Sequence, residues 1–213
     1  MALASIKVVG ALFSVILGTS KSFSVSVIRS RKKGVAMHFS VNEKVVYPGH
    51  GVAYIRQIIH KDVGSSECCF YELCFLHKEA TVLVPLESAE VVGLRNLSSV
   101  DHVEDAFTVL TKPARKLSVH EFTASSWNKR NKLYQLKMRK GRLLDLSEIY
   151  RDLKYMETVK ELSFGERRLL GKAEALLVEE ISEVVRRDED QTIEHIRSLC
   201  GIAYRRPDPE KQL

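Results

Sequence analysis

Two hydrophobic rhythms divide the chain. Between residues 38 and 93 apolar positions come in short alternating runs, the spacing of strands; beyond residue 99 they recur at helical spacing. Glu43 to Tyr47 is predicted as a strand. Pro48-Gly49-His50-Gly51 then turns the chain, since proline fixes φ and glycine permits positive φ. Val52 to His60 forms a second strand, and Asp62 to Ser66 a second turn. Cys68 to Leu76 sets Phe70, Glu72 and Cys74 against Tyr71, Leu73 and Phe75, so both faces are largely apolar. Thr81 to Val84 follows and stops at Pro85, and Val91-Val92 is predicted to close the sheet. Short strands at this density predict a small SH3- or Tudor-like β-barrel, a module that usually docks rather than catalyses.

The helical half begins with Asp101 to Leu110, ended by Pro113; a linker rich in Lys, Ser and Thr occupies 111–124. Ser125 or Ser126 is the expected N-cap of a helix that carries Trp127 and runs to Lys140, where Gly141 stops it. Asp145 or Ser147 starts the next, with Leu146, Ile149, Tyr150, Leu153, Met156 and Val159 on one face. Ser163-Phe164-Gly165-Glu166 reads as a capping box, in which serine bonds forward and glutamate reaches back. Leu169, Leu170, Ala173, Leu176, Leu177 and Ile181 form a second stripe, and Thr192 to Leu199 a last amphipathic piece. The predicted fold is α+β: a Tudor-like domain over 37–97, an all-α domain over 98–204, and a tail over 205–213 that frays.

Charge narrows the partners. The 213 residues carry a net charge of +6, with a pI near 9.1, which favours nucleic acid or an anionic surface. Cys68, Cys69, Cys74 and Cys200 have no metal-ligand spacing, so no metal site is expected and the thiols read as reduced, in a cytoplasmic protein. His50 is best read as part of its turn. No paired carboxylates, nucleophile triad or phosphate loop stands out, so neither catalysis nor a cofactor is expected. Residues 1–36 contain no Asp or Glu, hold an apolar run from Val8 to Leu17 too short to span a membrane, and end in a basic cluster. A secretory signal, an organelle presequence and an extension from a mis-assigned start codon compete. Met37, just before the patterned domain, favours the last, with 1–36 disordered or absent in the working protein.

Arg115, Lys116, Lys129, Arg130, Lys132, Lys137, Arg139, Lys140 and Arg142 face one acid, Glu121, between 115 and 142. Trp127, the sole tryptophan, lies among them at the expected helix start. Cations can neutralise phosphates and an indole can enter a distorted base step. Trp127, Tyr134 and Met138 also fall on one side of the helix, as a core stripe would.

Phe39 to Val52 (Phe-Ser-Val-Asn-Glu-Lys-Val-Val-Tyr-Pro-Gly-His-Gly-Val) resembles the opening of the polymerase-interacting domain of CarD-type bacterial regulators and transcription-repair coupling factor. Thr81 to Pro85 is similar to that domain's closing strand. The tryptophan helix and Leu162 to Leu170 resemble the helical domain of CarD. The resemblance covers about residues 38–185. It implies a non-enzymatic transcription regulator, expected to be a monomer off the membrane. The Tudor-like domain would dock on the RNA polymerase β subunit, with Lys61, Leu83, Val84 and Pro85 at the contact. The helical domain would lie at the upstream edge of the promoter bubble, with Trp127 as a minor-groove wedge and Lys129, Arg130 and Lys132 on the DNA. Family members often carry arginine where Leu83 stands, so the charged pairs of the docking contact would differ here. The competing reading is a general nucleic-acid-binding module that works without polymerase.

Overall fold

The computed structural model describes residues 7–8, 39–63, 66–114 and 124–204. The fold is α+β. Its strands are β1 (Lys7–Val8), β2 (Lys44–Tyr47), β3 (Gly51–Val63), β4 (Ser66–Phe75), β5 (Thr81–Pro85) and β6 (Arg95–Asn96). They form one sheet in the order β1-β5-β4-β3-β2-β6. β3, β4 and β5 are antiparallel neighbours, with a bulge between Ile55 and Gln57; β1 lies parallel to β5. Among the described residues no pairing joins β1 to β6, so the sheet is open where a closed barrel was expected. Alternation reports which faces are buried and says nothing of whether the sheet's ends meet.

The chain divides into two compact units, Met1–Val45 with Ala53–Leu94, and Val46–Val52 with Arg95–Leu213. In the first, Ile55, Tyr71, Leu73, Phe75 and Val84 are buried, and the Phe39 ring meets Tyr71 edge-on. Leu83, on the other face of β5 from Val84, is buried too. The expected strand at Val91-Val92 does not form. A 3-10 turn, Leu86–Ser88, leads instead into local bonds from Val92 N–H to Ser88 and from Gly93 N–H to Glu90. Those bonds take the amides a ladder would need, and Val91 is left 86% exposed.

Among its described residues the second unit has five helices: α1 (Val100–Thr111), α2 (Ala124–Lys140), α3 (Leu143–Val159), α4 (Phe164–Val185) and α5 (Glu189–Tyr204). Ser99 caps α1, accepting from the His102 N–H. Ser163 and Glu166 form the capping box of α4 as predicted. Ser125 and Ser126, expected to cap α2, lie inside it instead, since the helix begins at Ala124. The stripes on α3 and α4 meet in one core, where Leu146, Ile149, Tyr150, Leu153, Met156, Leu177 and Ile181 lie with Leu110 and Ile196; Val159, read as part of the α3 stripe, is exposed instead, at the last residue of the helix. The extension other than residues 7–8, most of the linker, and the tail over 205–213 lie outside the described residues.

Candidate functional site

The Pro48-Gly49-His50-Gly51 turn belongs to the helical unit, and two glycines set its position. Gly51 has φ +110°, and a Cβ there would stand 1.8 Å from Glu179 Oε2. The approach lets Val52 N–H donate to that carboxylate at 3.2 Å. Gly141, at φ +61°, ends α2 so close to Pro48 that a Cβ would lie 2.9 Å from the proline ring. Beside it, Arg95 forks onto Glu180 at 2.6 and 2.7 Å and donates to the Gly141 carbonyl. Ser98 adds its N–H and hydroxyl to the same carboxylate. Glu180 is 2% exposed and Arg95 25%. His50 stacks on Tyr47 and its Nδ1 lies 3.1 Å from the Pro48 carbonyl, which fits the turn role given to it. This cluster is a clasp rather than a reactive site.

α2 is the basic element. Its described length holds Lys129, Arg130, Lys132, Lys137, Arg139 and Lys140 and no carboxylate. Tyr134 and Met138 are buried in the core, as the stripe requires. Trp127 is half-buried and packs against the same core, so it is neither a free-standing wedge nor a fully enclosed side chain. Lys129 and Lys132 are exposed. Arg130 is half-buried and acts on Tyr134 together with Asp152 of α3. Burial raises the Tyr134 hydroxyl pKa, the Asp152 charge raises it further, and Arg130 opposes both. Lys137 pairs with Glu148. Between α2 and α3 runs a groove of about 360 Å³, lined by Arg130, Leu133, Tyr134, Leu136, Lys137, Lys140, Asp152 and Tyr155. Leu133 and Leu136 are 60% and 55% exposed there.

The first turn of α4 adds a residue that pattern reading passed over. Phe164 is 77% exposed. The next residue, Gly165, lies under the edge of the Trp127 ring: a Cβ on it would be 3.7 Å from Trp127 Cζ2. The sequence held the signal, a phenylalanine at the first helical position after the Ser163 cap, where no core stripe needs it.

Of the residues assigned to polymerase docking, Lys61 is exposed on β3, opposite Cys68, and Pro85 is half-buried on β5. Leu83 and Val84 are buried within their own unit. What they could offer a partner is main chain, yet β1 pairs along this strand, with Lys7 against Val82 and Val8 against Leu83. The structure thus has Trp127, Lys129, Arg130 and Lys132 on one helix, and the docking residues on two strands, Lys61 on β3 and the other three on β5. Among the described residues, no three His, Cys, Asp or Glu side chains gather as metal ligands. No described helix is long and apolar enough to cross a membrane.

Two stretches match known domains. Residues 39–98 match the CarD-like/TRCF RID domain, and residues 105–197 match the CarD C-terminal domain. The chain is also similar to a Bacillus subtilis (strain 168) protein named "Putative transcription factor YdeB", 24% identical over 146 residues, which span 67% of this chain and 90% of that one.

Proposed function

Because the chain belongs to the CarD family, we propose that it is a non-enzymatic transcription regulator that engages RNA polymerase and promoter DNA together. The sheet unit docks on the β subunit; α2 contacts DNA at the upstream edge of the bubble and slows its collapse. Each contact can be weak, because docking makes the DNA contact effectively intramolecular. The observation that carries this reading is α2 itself, a helix with cations, no acid, and the sole tryptophan in its first turn. Lys129 and Lys132 meet phosphates, which position the helix without reading sequence. Arg130, half-buried on the same helix, adds its charge to that face.

The test is co-purification with polymerase followed by open-complex lifetime. Trp127→Ala should leave polymerase binding intact. A wedge contribution of about 1–2 kcal/mol would shorten the lifetime roughly five- to thirty-fold. Trp127 also packs on the core, so thermal unfolding is measured on the same sample. A lowered melting temperature without any kinetic defect at a temperature where the variant is folded would reject the wedge. Failure to retain the β subunit would favour the general nucleic-acid module.

A further inference from the structure

We propose that Phe164 is a second ring that meets an unpaired base at the fork, beside the Trp127 wedge. The proposal rests on the fork-contact reading above. A single exposed apolar residue is ordinary on a protein surface. Phe164 is distinguished by its company. It is 77% exposed, whereas Trp127 is half-buried against the core. Gly165, adjoining Phe164, carries the Trp127 ring edge. The more available aromatic face is therefore on α4, next to the ring that the sequence singles out.

The charges nearby fit a polyanion. Glu166 is held by Lys160 at 2.6 Å and by the Ser163 N–H at 2.8 Å, and Glu161 is paired with Arg167 at 3.1 Å. Both acids beside the ring are thus paired with a cation. Arg168 is exposed on the next turn, and Lys129 and Lys132 are exposed on α2. The capping box takes the Ser163 and Glu166 N–H groups and sets the Glu166 carboxylate at the start of α4, so phosphate contacts fall to these side chains rather than to the helix end. An apolar ring among cations suits single-stranded or forked nucleic acid, where stacking on an aromatic is tolerant of sequence.

The test compares two DNAs of equal length, one fully paired and one with unpaired arms, bound by the full chain at one salt concentration. Phe164→Ala should weaken fork binding roughly five-fold or more, the effect of removing one base–aromatic stack. Binding to the paired duplex should stay within about two-fold, because that term is set by phosphates. Phe164→Tyr should keep the fork preference and Phe164→Leu should lose most of it; full retention by Phe164→Leu would overturn stacking. Equal losses on both DNAs would overturn it as well. If Trp127→Ala weakens fork binding and Phe164→Ala does not, the Phe164 assignment falls while the fork reading stands. If neither variant alters the fork preference, both fall. An unchanged melting temperature for Phe164→Ala checks that folding is not the cause.

Discussion

A methyl group at residue 51 has no room. At φ +110° with Glu179 Oε2 in its path, Gly51→Ala must strain the backbone and displace the carboxylate. The expected cost is about 2–4 kcal/mol in chemical denaturation. Adding Glu179→Ala should return part of it, because the clash goes and the backbone strain stays. Glu180→Ala should cost more, about 3–5 kcal/mol, since it leaves the partly buried Arg95 guanidinium without its carboxylate. Glycine and proline made the turn legible in the sequence. Its partners were not legible: Glu179 lies off the apolar stripe of α4, and Glu180, which falls within the stripe, gives no sign in its spacing of the group it meets. Trp127 was ambiguous for a related reason: helical spacing gives a direction, but not what fills the space in that direction. Cys200 is clearer. Burial pushes its thiol up to about 11, so alkylation of the native chain at neutral pH should spare it, as mass spectrometry can check.

The capping box of α4 is the most local of the devices at the scale of the element. Burial by itself would raise the Glu166 carboxyl; the Lys160 ammonium and the Ser163 N–H and hydroxyl outweigh it and hold it below its ordinary 4.5. Glu174 is held low first by Arg197, against burial and with help from the Tyr150 hydroxyl. A carboxyl depressed in the folded state stabilises above its unfolded pKa, and that contribution fades as pH falls through the folded value. Melting temperature should therefore be flat in these two groups above about pH 5 and drop below about pH 4. Glu166→Gln should lower stability at neutral pH and make the acid slope shallower. Ser163→Ala should cost about 1 kcal/mol. β5 behaves differently. Leu83→Asp places an uncompensated charge inside the sheet unit, so loss of polymerase binding by that variant would report unfolding, with about 3–5 kcal/mol at stake. Elements with a strong period or a capping signature were readable from sequence. Val91-Val92 was not, since β-branched residues also occupy turns when neighbouring amides bond locally.

Two units and one basic helix describe the molecule at its largest scale. A sheet edge can recruit a partner by strand addition, and the side of β5 away from β4 is what such a partner would use. Lys7–Val8 pairs along that strand. A chain beginning at Met37 should therefore bind the polymerase β subunit at least as tightly as the full chain, measured by titration; markedly weaker binding would show that residues 1–36 contribute to the contact. The turn over 46–52 has a different consequence. It counts with the helices although its sequence neighbours are strands. No single cut therefore yields an intact helical half. A fragment starting at residue 98 keeps Glu179 and Glu180 but loses the Val52 amide and Arg95 that face them. Glu179 would then lack the Val52 amide and Glu180 the Arg95 guanidinium, so a domain swap at the apparent boundary would inherit a helix whose buried acids have lost groups that hold them in the whole chain.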